Sequence, residues 1–188
     1  TVSVSPDTGR PCSGSSALVK THGAKVVHPQ LQLCMDASYG AVKADEAPTS
    51  LSSLRALLDA ALSEGAGSFG LATSQELPVL IRVRDRHSVR SASALAKKHK
   101  LQGALFGSYW AEDLVLEVAS SGLGVICDPV GVAANQKAMR SINALVKGGV
   151  KIGFGLVGPK NSPEQLRVGA ALCVRAGLNP NTALSALT

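Results

Sequence analysis

From residue 78 onward the chain repeats one kind of unit, and that repetition constrains its fold more than any other feature. "PVLIRV" (78–83), "GALFGS" (103–108), "GLGVICDP" (122–129) and "VKIGFGLVG" (150–158) are short apolar runs, the third stopped by Pro129. Between them lie stretches with helical spacing. Residues 88–99 place Val89, Ala92, Leu95 and Ala96 on one face, and 134–147 bury Met139, Ile142, Leu145 and Val146. "AEDLVLEVASS" (111–121) carries Ala111, Glu112 and Asp113 at its N-terminal end, where acids suit the helix dipole. The last helix reads Ser162 as N-cap, Pro163 and Glu164 in the first turn and Gly177 as C-cap. Strands and helices alternating over short connections make βα units with a parallel sheet.

Residues 1–77 are less regular. "TVSVSP" reads as a strand, "SALVKTHGAKVVHP" as a short hairpin around His22 and Gly23, and 40–50 as loop. "SLSSLRALLDAALSEG" reads as an amphipathic helix ending at Gly65, and "AGSFGLATSQ" as loop. Counting "TVSVSP", about five parallel strands are expected. A closed (β/α)8 barrel needs eight strands and about 250 residues, more than these 188. The chain is therefore either an open doubly wound sheet or most of a barrel whose first strands lie elsewhere. Residues 1–188 read as one domain, irregular over 1–77 and regular over 78–188. Only 3% of residues are aromatic against 45% hydrophobic, so the core is built from Ala, Val, Leu and Ile, as helices packed on a parallel sheet require.

No run is long enough to span a membrane, and no signal peptide opens the chain, so a cytoplasmic protein is expected. Beginning at Thr1 without Met, it reads as a processed or truncated product. An N-terminal threonine can act as a nucleophile, but that chemistry belongs to a fold with another alternation. The +6 charge reads as a solvated basic surface, because no aromatic residues interleave with the cations as nucleic-acid binding demands. Cys12, Cys34, Cys127 and Cys173 form no C-x-x-C pair; Cys127 and Cys173 read as small buried hydrophobes, on a strand and on a helix.

Four stretches, "TVSVSPDTGRPCSGSSALVKTHG", "LPVLIRVRDRHSVRSASALAKKHKLQGALFGSYWAEDLVLEVASSGLGVICDP", "LVKGGVKIGFGLVG" and "LRVGAALCVRAGLNPNTALSALT", together resemble the amidohydrolase superfamily, in particular its imidazolonepropionase-like branch. The resemblance covers most of the chain. It implies an α/β fold of parallel βα units, most of a TIM-like (β/α)8 barrel with the first strands missing. It also implies one or two divalent metals, usually zinc, whose bound water becomes the hydroxide that hydrolyses amide or ring C–N bonds. The family's ligand triplets His-Ala-His, Glu-His-Gly and Gly-Thr-Asp match Arg82-Val83-Arg84, Phe106-Gly107-Ser108 and Gly155-Leu156-Val157 here. Arginine cannot stand in for a ligand, since it stays protonated and has no lone pair to give. His-x-His does not occur in the chain.

Arg82 and Arg84 thus lie where the resemblance implies imidazoles around a dication. They read either as a clamp for carboxylate or phosphate, or as cations paired with Asp85, Asp128 or another acid in a filled-in site. Gly153, Gly155 and Gly158 form a G-x-G-x-x-G, so Gly153 and Gly155 join Arg82 and Arg84 as the anion-binding candidates. No acid follows at about twenty residues, as a dinucleotide site requires. "SPDTGRPCSGSS" reads as a Ser/Gly loop offering Arg10 and Lys20 to an anion. Arg86, Arg90, Lys97, Lys98 and Lys100 read as a solvated helix face. His22 and His28 fit no metal template, His99 suits a helix C-terminus, and His87 lies past a strand end within reach of Asp128 as an acid–base pair.

Three functions follow. The first is a metal-free, non-catalytic structural or binding subunit that joins another chain or its own copies. The second is a zinc-dependent hydrolase of C–N bonds with the missing ligands supplied by another segment or chain, recruiting His22, His28 or His87. The third is a module for a small anionic ligand. Neither nucleic acid nor membrane is expected as a partner.

Overall fold

The computed structural model describes residues 2–4, 12–20, 22–23, 25–37, 51–107, 111–128, 136–156 and 162–187. Strands β1 (Val2–Val4), β2 (Cys12–Val19) and β3 (Val26–Asp36) come first, then helices α1 (Leu51–Glu64) and α2 (Ser68–Thr73). There follow β4 (Val79–Arg82), α3 (Arg86–His99), β5 (Gly103–Phe106) and a 3-10 turn (Ala111–Leu114) leading into α4 (Val115–Ser121). The chain continues through β6 (Gly124–Cys127), α5 (Gln136–Lys147), β7 (Ile152–Phe154), α6 (Pro163–Arg175) and α7 (Pro180–Ser185).

The seven strands among the described residues form one open sheet in chain order, with β1 and β7 at its edges. β1–β2 and β2–β3 are antiparallel; every pairing from β3 to β7 is parallel. A doubly wound sheet reverses its strand order at a switch point, and no reversal occurs here. The helices also lie on one side. Leu33, Met35, Val79, Ile81, Val83, Leu105, Val125 and Cys127, alternate residues of four strands, share a core with Leu58, Val89, Leu95, Val118, Ile142, Leu145 and Cys173 from α1, α3, α4, α5 and α6. The intervening residues Cys34, Leu80, Ala104, Phe106 and Ile126 fall outside that core and point to the opposite face. Strands in order under one helical layer make an arc of the kind found in α/β barrels, here not closed.

Local chemistry accounts for the helix boundaries. Asp85 caps α3: its Oδ1 accepts from the Ser88 N–H at 2.8 Å, and Ser88 Oγ accepts from the Asp85 N–H at 3.0 Å. Ser162 and Gln165 form the same box on α6. Gly103 opens β5 so close to β4 that a Cβ would lie 1.9 Å from the Val79 carbonyl oxygen, and its φ is 142°; only glycine fits there. No helix among the described residues is long and apolar enough to cross a membrane.

Three sequence readings change. "TVSVSP" contributes only the short antiparallel β1; the fifth parallel strand is the second half of β3, "QLQLCMD". β3 follows the expected hairpin, whose turn closes with the Lys20 N–H on the Lys25 carbonyl at 2.9 Å, stays paired with β2 as far as Met35, and over Leu33–Asp36 also pairs with β4. "AGSFGLATSQ" contains α2, one and a half turns too short to show periodicity. It folds back because Gly70 rests against the Gly65 carbonyl, where a Cβ would come within 2.3 Å. Cys12–Ser16, expected in a Ser/Gly loop, belongs to β2, with Ser16 fully buried. The other boundaries move by a few residues: α3 begins at Arg86, α4 is preceded by the 3-10 turn, and Ala176 rather than Gly177 is the α6 C-cap. The readings on Thr1, Arg10, 40–50, Ser108, Pro129, Val157 and Gly158 lie outside the described residues.

Candidate functional site

The carboxyl ends of parallel strands are where α/β proteins carry chemistry. Here one row of register partners crosses those ends: Asp36, Arg82, Phe106, Ile126 and Gly153, on β3 to β7 in turn. Residues in register on parallel strands project from the same face, so the row looks away from the helices. Asp36 is 1% exposed, while Arg82, Phe106 and Ile126 are half-buried. Backbone bonds hold the row's acidic end: the Ala37 N–H donates to the Arg82 carbonyl at 2.9 Å, and the Val83 N–H to the Phe106 carbonyl at 3.0 Å.

Arg84 follows Arg82 by two residues and is exposed. Its backbone N–H donates to Ser88 Oγ at 3.0 Å, so the α3 cap fixes the chain that carries it. The same cap occupies Asp85, which was expected as an ion-pair partner of the two arginines. Arg82 and Gly153 share the row, separated by Phe106 and Ile126. Gly155 lies against Ile126, where a Cβ would meet Cγ2 at 2.6 Å, so close packing accounts for that glycine. Asp128 follows the end of β6 and is half-buried.

The chain's four histidines lie off this row. His22 is in the hairpin turn and His28 on the outer half of β3, both exposed. His87 is exposed in the first turn of α3, and no bond joins it to Asp128 among the described residues. His99, at the end of α3, places Nε2 2.6 Å from Asp59 Oδ1 on α1, and Lys98 Nζ donates to both oxygens of the same carboxylate at 2.8 and 2.7 Å. The Lys98 ammonium first, and then His99, holds the Asp59 carboxyl below its ordinary value. Arg86 pairs with Asp113 and Arg90 with Glu117, so the expected solvated face of α3 is stitched to its neighbours. Among the described residues no three His, Cys, Asp or Glu side chains gather where a metal would sit.

Cys127 and Cys173 are buried, as expected. Burial chiefly, with Cys173 and Asp128 nearby, pushes the Cys127 thiol up to about 12. Burial alone pushes Cys173 up to about 11. Thiols held so far from ionisation are poor nucleophiles and poor ligands.

Asp36 was missed by sequence reasoning, although Leu31, Leu33 and Met35 alternate with Gln30, Gln32 and Cys34 before it, a legible strand signal. The Asp59 cluster has no local signal, since Asp59 and His99 are 40 residues apart.

No family model matches the chain, and no curated protein matches it. A solved structure does: the crystal structure of an amidohydrolase from Thermotoga maritima MSB8 superposes with a TM-score of 0.81 at 14% identity. The match covers 99% of this chain and 58% of that one, so the chain spans little more than half the length of its structural relative. At that identity the likeness is one of fold, and the fold of this chain is amidohydrolase-like.

Proposed function

We propose that this chain is a non-catalytic structural or binding subunit, a member of the imidazolonepropionase-like branch whose strand ends have lost their metal ligands, and that it associates with another chain or with its own copies. The row Asp36, Arg82, Phe106, Ile126 and Gly153 carries this reading. A catalytic zinc needs three nitrogen, oxygen or sulfur donors around one point. The row offers one carboxylate, next to a guanidinium that only donates; Phe106, Ile126 and Gly153 offer no side-chain donor. These residues do not fit a zinc centre.

The sheet supports association. Parallel sheets are normally covered on both faces, whereas Ala104, Phe106 and Ile126 on the face away from the helices are only half-buried. The outer side of β7 is already partly taken, its Phe154 N–H donating to the Ala186 carbonyl at 2.7 Å, so association rests on that face. Native mass spectrometry of the protein from its natural source, with metal analysis of the same sample, tests both parts. A metal-free complex with a partner chain or further copies is expected. Stoichiometric zinc would overturn the reading in favour of a metal-dependent hydrolase of C–N bonds.

Arg82 and Arg84 favour a second reading, an anion-binding module, because Arg82 closes β4 at its carboxyl end and the exposed Arg84 follows two residues on. Phosphate should then raise the melting temperature, and Arg82→Ala should abolish the rise.

A further inference from the structure

Between α5 and the end of α6 lies a cleft of about 600 Å3, on elements that contribute nothing to the Asp36–Arg82 end of the strand row. Its lining includes Met139 and Leu172, both half-buried, and the exposed Arg140 and Arg175. We propose that this cleft binds a small organic anion, a carboxylate or phosphate ester with a hydrocarbon body, and that the proposal stands independently of the function assigned to the strand ends.

The volume falls within the range of about 300–1,000 Å3 typical of small-molecule sites. The charge decides the ligand class. On α3 the exposed Arg86 and Arg90 each meet a carboxylate from a neighbouring element. Arg140 and Arg175 meet none among the described residues; Arg140 makes only a long 3.4 Å bond to Gln136 Oε1, one turn earlier on α5. Two guanidinium forks that meet no acid among the described residues, beside the apolar Met139 and Leu172, suit an anionic head on a hydrocarbon body. A neutral hydrocarbon would leave both forks unused, and a bare inorganic anion would leave the apolar side chains wet.

The wall is also held in place before any ligand arrives. Asn143 Nδ2 donates to the Ala176 carbonyl at 2.6 Å, tying α5 to the end of α6, and the chain then turns away at Gly177, whose φ is 103°. A preformed wall lowers the ordering cost of binding.

The chain's two methionines make the test direct. Met139 lines the cleft, whereas Met35 is 1% exposed on β3. With methyl-labelled methionine, octanoate should shift the Met139 methyl resonance and leave Met35 in place. Octanol, which lacks the charge, and acetate, which lacks the body, should each bind about tenfold more weakly or worse. Replacing both arginines (R140Q with R175Q) should cost octanoate about tenfold in affinity, with Arg86→Gln as a neutral control. A Met139 resonance that stays still at saturating octanoate would overturn the proposal. So would equal octanoate affinity in the wild type and the double variant, or octanol binding as tightly as octanoate.

Discussion

Asp36 and Arg82 are register partners at the carboxyl ends of β3 and β4, a fully buried carboxylate one strand away from a half-buried guanidinium. Adjacent parallel strands lie about 4.8 Å apart, so the two side chains leave neighbouring backbone positions on one face of the sheet. Removing the cation should be felt by the fold. Arg82→Met is expected to cost about 2 kcal/mol in denaturant unfolding. Arg84→Met, at an exposed position two residues on, should stay within about 0.5 kcal/mol. Equal costs would mean that the charge at Arg82 does nothing for Asp36.

A second expectation concerns the approach of β5 to β4. Gly103→Ala puts a methyl group into the Val79 backbone at a positive φ, and should cost about 3 kcal/mol or more or prevent folding. At Gly122, with φ 76°, a Cβ would have no other atom within 4 Å. Gly122→Ala therefore bears only the left-handed backbone cost of about 1 kcal/mol. Thermal unfolding of the two variants side by side checks the difference.

Asp59 predicts a pH dependence. Lys98 and then His99 hold its folded value below the ordinary 3.8. A depressed carboxylate adds stability above the unfolded value and loses it as the pH falls through the folded value. The melting temperature of the wild type should therefore fall as the pH drops below 3.8, and Asp59→Asn should flatten that part of the profile. Because Lys98 is exposed and Asp59 partly so, 1 M salt should weaken the effect. An unchanged acid profile in Asp59→Asn would show that the clamp between α1 and α3 contributes nothing.

Thiol chemistry offers a fourth check. With Cys127 pushed up to about 12 and Cys173 to about 11, neither should label in the native state at pH 8. Cys34 is 1% exposed and equally shielded, which leaves the half-buried Cys12 as the thiol that reacts promptly with a disulfide reagent. All four should react in denaturant. Prompt native labelling of Cys127 or Cys173, found by peptide mapping, would show that the core between β6 and α6 opens.

The alternating units after residue 78 were legible because each depends on neighbours in sequence: apolar runs for strands, spacing of three and four for helices, Asp85 with Ser88 and Ser162 with Gln165 for the starts. The resemblance in wording also anticipated the amidohydrolase-like fold. Tertiary structure decided the rest. β3 is a hairpin strand from Val26 to Met35 and, over Leu33–Asp36, a parallel strand as well, and only pairing with β4 gives it the second role. α2 is too short to announce itself and exists because Gly70 can lie against Gly65. Asp36 meets Arg82's strand across 46 residues of chain, and Asp59 meets His99 across 40. Local propensity acts over a few residues, whereas such partners are chosen by how strands and helices pack, and packing is a property of the folded chain.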